Sequence, residues 1–193
     1  MQISGIDTFL VLQAESFFGL DGRTAPGFYW VATVIDGVPA FTIEPGALGP
    51  GLVRAAHAYW RACADAGIDQ VIDDVWLQAD WARDLQKALA GVPVVWVGVR
   101  CPIHIIEQRE RDRGDRMIGQ ARGHADVIHQ WMSYDLEIDS SLLLPHEAAS
   151  LVIDAVVTRT GIPCGNDGLW PIASDFPVPA AGGAWPSAAV TKT

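Results

Sequence analysis

Three groups of residues in this sequence have the types and spacing for chemistry. Asp73 and Asp74 directly follow Gln70-Val71-Ile72, a short apolar run that reads as a strand. In parallel α/β sheets ligands collect at the carboxyl ends of strands, so a carboxylate pair there suits Mg²⁺, often held through water. The same two residues also suit a helix N-cap or a solvated turn. Between positions 100 and 122 stand Arg100, Arg109, Arg111, Arg113, Arg116 and Arg122, six of the 13 Lys and Arg residues of the chain. Arginine grips phosphate oxygens bidentately, and a segment carrying several can close over a polyphosphate. The competing account is an exposed helix with Glu107–Arg111 and Asp112–Arg116 pairs at i,i+4, which leaves Arg109 and Arg113 without an acidic partner on the favoured side. Asp7, between Ile3-Ser4-Gly5-Ile6 and the apolar stretch Thr8 to Leu12, is either a helix N-cap or a general base.

Other chemistries find no support. Lys87 lies in Leu85-Gln86-Lys87-Ala88 and Lys192 in Thr191-Lys192-Thr193, so neither follows a glycine and the sequence holds no G-x-x-x-x-G-K-[ST] phosphate loop. His57, His104, His124, His129 and His146 show neither H-x-x-x-H nor H-E-x-x-H spacing, which leaves no signal for a histidine metal site. Cys63, Cys101 and Cys164 are far apart, odd in number and without C-x-x-C spacing, as expected of buried thiols in a reducing cytoplasm. Ser140-Ser141 lacks the glycines of a nucleophile elbow.

The elements that must position these residues alternate along the chain. Gln70-Val71-Ile72, Val92 to Val99 and Leu136-Glu137-Ile138 read as parallel strands, the second buried on both faces because its β-branched run is continuous. Between them lie amphipathic helices. Leu52, Ala56, Tyr59, Trp60 and Cys63 make one face of a helix ending near Gly67; Trp81, Leu85 and Leu89 repeat the pattern before Gly91. A last helix opens at Pro145 and carries Ala148, Leu151, Val152, Ala155 and Val156 inward. Alternating strands and helices imply an α/β fold, a parallel sheet with flanking helices. A β-hairpin interrupts the alternation at about 28–43, with Asp36-Gly37 as its turn. Trp30 in that hairpin, and Trp76 after the aspartate pair, are candidates for an aromatic substrate pocket or for core.

Length and charge bound the rest. At 193 residues the chain fits one domain of about 160 residues, followed over 161–193 by an irregular Pro- and Gly-rich tail. A net charge of −10 argues against a nucleic-acid partner or an anionic membrane surface. The run Phe9-Leu10-Val11-Leu12 is too short for a membrane span and has no basic residue before it, so a cytoplasmic location is expected.

Four strings occur in a fixed order: Val71-Ile72-Asp73-Asp74-Val75-Trp76-Leu77; Val95-Trp96-Val97-Gly98-Val99-Arg100-Cys101; Arg109-Glu110-Arg111-Asp112-Arg113-Gly114-Asp115-Arg116; and Tyr134-Asp135-Leu136-Glu137-Ile138-Asp139. Together they resemble the chloramphenicol phosphotransferase family of P-loop kinases, over about Ile3 to Val156. The resemblance implies a P-loop kinase-like parallel sheet, and transfer of the γ-phosphoryl of ATP, with Mg²⁺, to a small-molecule alcohol. It implies that Asp7 is the general base, that Asp73 and Asp74 lie near the metal, and that Arg109, Arg113 and Arg116 belong to a lid, at about 107–122, covering the nucleotide phosphates. It also implies a strand, phosphate loop and helix before the residues matched to Met1, the strand being central to the sheet. Those roughly 30 residues do not occur in this sequence, and a longer natural product is expected to carry them. The alternative is a catalytically silent homologue that keeps a small-molecule pocket.

Overall fold

The structure, a computed structural model, describes residues 1–10, 13, 15–19, 23–114 and 117–160. The proline- and glycine-rich tail expected over 161–193 lies outside the described residues, as does Arg116. The chain divides into two compact units, one made of Met1–Val92 and Ile103–Met132, the other of Pro93–Pro102 and the residues from Ser133 onward.

The first unit begins with β1 (Gln2–Gly5), which runs without a loop into α1 (Ile6–Leu10). β2 (Phe18–Gly19) pairs in parallel with β3 (Phe28–Ile35), and β3 pairs antiparallel with β4 (Val38–Pro45). The hairpin expected from Asp36-Gly37 is present: both turn residues have positive φ, 52° and 76°, the mirror-image turn whose twist matches that of the strands. Then come α2 (Gly49–Asp65), β5 (Gln70–Asp73) and α3 (Ala79–Ala88). α4 (Ile103–Arg113) and α5 (Gln120–Ala125) complete the unit. β5 pairs in parallel with β1, Gln2 opposite Gln70 through Gly5 opposite Asp73.

The core of this unit lies where α2 meets α3 and the β1–β5 ladder. Trp60 is fully buried and its indole N–H donates to Ser4 Oγ at 3.0 Å, so the large ring brings its one polar atom to a partner on β1. Phe9 meets Trp60 edge-on at 6.0 Å, and Phe28 of the hairpin meets Trp81 of α3 in the same way at 6.0 Å. Trp81, Leu85 and Leu89 are buried as their spacing predicts. On α2 the stripe differs from the expected one. Val53, Ala56, His57, Trp60 and Cys63 are buried, whereas Tyr59 is 40% exposed and Leu52 only half-buried. The helix is turned so that His57 faces α3, where it finds a carboxylate; hydrophobicity alone gave no reason to choose that face.

The second unit contains β6 (Val97–Arg100), β7 (Leu136–Asp139) and α6 (Pro145–Thr160). β6 and β7 pair in parallel from Val97 opposite Leu136 to Arg100 opposite Asp139. The two strings V-G-V-R and Y-D-x-E-x-D are one another's partners here. A Cβ on Gly98 would stand 2.6 Å from the Tyr134 ring, so only glycine admits that ring. Arg100 donates from Nε and Nη2 to the two oxygens of Glu137, at 2.8 and 3.1 Å. Asp135 accepts from the Trp96 amide and pairs with Arg159 of α6 at 2.7 Å, and Asp139 accepts from the amide and hydroxyl of Ser141.

Two expectations are corrected in this unit. The strand expected over Val92 to Val99 spans only Val97–Arg100, because β7 offers four residues of ladder. Val97 and Val99 are half-buried instead of covered on both faces. On α6, Leu151 and Val156 are 42% and 36% exposed and none of the residues from Pro145 to Arg159 is buried, since two short strands offer the helix little surface to cover.

The fold is α/β, with parallel strand pairs flanked by helices, in keeping with a P-loop kinase-like architecture. Among the described residues β5 pairs with β1 alone and β6 with β7 alone. No described helix is long and apolar enough to cross a membrane.

Candidate active site

The carboxyl ends of β1 and β5 gather the acidic candidates. Gly5 and Asp73 are register partners, and α1 starts at the next residue after Gly5. Asp7 therefore sits in the first turn of α1, exposed, two residues past the partner of Asp73. It is inside the helix and not its N-cap; an acidic residue in the first turn still complements the helix dipole. The close approach of the two strand ends requires Gly5, since a Cβ there would overlap the Asp73 carbonyl oxygen.

Asp73 and Asp74 part ways. Asp74 Oδ1 accepts from the Val75 amide and Oδ2 from the Trp76 indole N–H, each at 2.9 Å, and its side chain is 5% exposed. This carboxylate is committed to the turn that follows β5. Trp76, a candidate for the substrate pocket, is 8% exposed with its indole N–H bound to Asp74. Asp73 is the last residue of β5 and is half-buried there. Among the described residues no group of three or more His, Cys, Asp or Glu side chains is arranged to hold a metal ion. A single strand-end carboxylate fits Mg²⁺, which keeps much of its water and takes its other ligands from phosphates.

Arg109, Arg111 and Arg113 are exposed on the second half of α4. The i,i+4 pairing expected of Glu107 with Arg111 is absent: Glu107 binds Arg122 of α5 at 2.6 Å, and Arg111 donates to Gln108. Arg122 is thereby assigned to holding α4 against α5, and Arg100 to Glu137. Arg109 and Arg113, the two described members of the expected lid trio, lie on the exposed second half of α4.

Several residues that the sequence left silent organise this region. Glu110 is buried and accepts from the amides of Gly119 and Ala121 at 2.7 and 2.8 Å, folding the segment after α4 back onto it. Its position four residues after Ile106, on the same side of α4, was the available signal. α5 in turn clasps the hairpin. Gly119 accepts from the Phe41 amide at 3.0 Å, and a Cβ on Gly123 would overlap the Phe41 carbonyl. His124 stacks on Trp30 with ring centroids 6.3 Å apart, and its Nε2 accepts from the Ile43 amide at 3.1 Å. Burial pushes the His124 pKa down to about 4, so the imidazole is neutral and can accept. Trp30 is thus half-buried between the hairpin and α5. His57 lies between two carboxylates, Nδ1 2.7 Å from Asp84 Oδ2 and Nε2 3.8 Å from Asp74 Oδ2. Burial works to lower its pKa, but the hydrogen bonds and charges of Asp74 and Asp84 outweigh it and the pKa is raised.

The family model of chloramphenicol phosphotransferase-like proteins matches residues 33–157, a span that includes Asp73, Arg109 and Arg113 but neither Asp7 nor Trp30. Two Mycobacterium tuberculosis proteins, from strains CDC 1551 / Oshkosh and ATCC 25618 / H37Rv, are each 35% identical over 150 residues. Both carry the name "Putative O-phosphotransferase". The match covers 75% of this chain and 65% of each relative, so the chain spans about two-thirds of their length. By the family model and these relatives together, the chain belongs to the chloramphenicol phosphotransferase-like family.

Proposed function

We propose that the chain is an ATP-dependent O-phosphotransferase acting on the hydroxyl of a small molecule. The observation that carries this reading is the register of Gly5 with Asp73, which sets Asp7 and Asp73 at one ladder end. The family, and the O-phosphotransferase names of the two relatives, support it.

Asp7 takes the proton of the acceptor hydroxyl as the oxygen attacks the γ-phosphorus of ATP. The bond from that phosphorus to the β,γ-bridging oxygen breaks, and ADP leaves. Phosphoryl transfer of this kind depends on positioning and charge neutralisation. Arg109 and Arg113 supply positive charge for the phosphate oxygens, with the fork geometry that suits them. Asp73 would hold Mg²⁺, which when bound draws charge from the phosphates. The hairpin with Trp30, clasped by α5, supplies an aromatic wall for the acceptor. Soluble, cytoplasmic action on a small alcohol, without nucleic acid or membrane, is part of the same proposal.

The test is ATP-dependent phosphorylation of a panel of primary alcohols by the chain, alone and within the longest open reading frame that contains it. Where transfer is seen, Asp7→Asn lowers turnover by about 10²–10⁴-fold, and Arg109→Ala and Arg113→Ala raise the KM for ATP. Undiminished turnover in Asp7→Asn overturns the role of the base. A second reading, a homologue that binds a small molecule and transfers nothing, is favoured by the want of any glycine-preceded lysine in the sequence. It predicts acceptor binding without transfer in both forms.

A further inference from the structure

His57 is among the most deeply buried polar side chains described, 1% exposed on α2. Such a group is costly unless its polar atoms are paired. Nδ1 is satisfied by Asp84 Oδ2 of α3 at 2.7 Å. Nε2 is buried without a hydrogen bond, and the polar atom facing it is Asp74 Oδ2, 3.8 Å away. Asp74 is itself buried and already fastens the turn after β5: one oxygen takes the Val75 amide, the other the Trp76 indole N–H. A carboxylate oxygen has room for a second donor, so the direction left open on Oδ2 is available to His57.

We infer that His57 is a positioning residue that links Asp84 on α3 to Asp74, and so holds the Asp74–Trp76 turn at the end of β5. α3 fixes Asp84, Asp84 fixes the imidazole through Nδ1, and the imidazole faces the carboxylate that clamps the turn. Asp73 is the residue immediately before that clamp, so the orientation of the strand end depends on a side chain of another helix. The link itself stands on the contacts within this unit. Its consequence for phosphoryl transfer rests on the proposed function.

The relay is tested on the 193-residue chain by NMR hydrogen exchange, with no nucleotide or metal added, so that its failure and the failure of the transfer reading are separate results. Asp84→Asn changes a side chain that is 38% exposed and leaves the core intact. The expected result is that exchange of the Trp76 indole N–H and the Val75 amide speeds up by about tenfold, the effect of weakening one buried hydrogen bond. The Trp60 indole N–H, bonded to Ser4, serves as the control and keeps its rate. His57→Gln gives the same pattern at Trp76 and Val75. Unchanged exchange at Trp76 and Val75 in Asp84→Asn overturns the inference, as does an equal acceleration of Trp76 and Trp60, which would mean general loosening of the core.

Discussion

Gly5 and Asp73 face each other across the β1–β5 ladder so closely that a methyl group on Gly5 would overlap the Asp73 carbonyl oxygen. The two residues end their strands together, where α1 and the Asp74 turn begin. Gly5→Ala is expected to lower stability by about 1–3 kcal/mol through overpacking, read as a lower urea midpoint. Gly51 provides the contrast: it is exposed on α2 with only the tip of the Arg54 side chain within 4.0 Å. Gly51→Ala should be neutral or raise stability by up to about 1 kcal/mol, from the helix propensity it gains. Equal losses in the two variants would remove the special role of the Gly5 approach.

Glu110 holds the segment after α4 by two backbone amides, and its side chain is buried. Glu110→Ala leaves two donors without their acceptor and should cost about 2–4 kcal/mol. Glu110→Gln keeps one amide oxygen as acceptor and should cost roughly half as much. Denaturant midpoints measure both, and exchange of the Gly119 and Ala121 amides locates the effect.

His124 gives the fold a defined response to acid. Its pKa falls from an ordinary 6.5 in the unfolded chain to about 4 in the folded one, because the ring is buried. Between these values the unfolded state binds more protons, so the contribution of this group is present above pH 6.5 and is lost as pH falls toward 4. The loss amounts to about 3 kcal/mol over that window. Protonation also removes the lone pair that accepts from the Ile43 amide. His57 has the opposite sign: its pKa is raised, so its contribution is present below 6.5 and declines as pH rises through the raised value. Stability measured from pH 7 to pH 4 should fall less steeply in His124→Gln than in the wild type. Parallel curves would show that His124 does not carry the effect.

Much of the fold was legible because local patterns are enough to specify it. The Asp36-Gly37 turn has the two residue types that tolerate positive φ, and the hairpin follows from it. Trp81, Leu85 and Leu89 lie at helical spacing and are buried together. The aspartate pair falls at a strand end because the apolar run stops there. The ordered strings were legible as a family resemblance before any contact was known. Tyr134, Gly98, Arg100 and Glu137 now explain their wording as partners across β6 and β7.

What remained hidden were pairings between residues distant in sequence. His57 and Asp84 are 27 positions apart, His124 and Ile43 are 81 apart, and Glu107 and Arg122 are 15 apart. No periodicity encodes such distances, so His57 and His124 looked uninformative, and nothing marked Arg122 as the partner of Glu107. By itself the sequence determined the element types, the strand-end position of Asp73, the helix bearing Arg109 and Arg113, and the family. Only the tertiary structure decided that α1, with Asp7 in its first turn, starts one residue after the register partner of Asp73, that Asp74 hydrogen-bonds within its own turn, and that Arg100 and Arg122 are held in ion pairs. Burial and hydrogen-bond satisfaction act between elements, and they assign a polar side chain its role only once the elements have met.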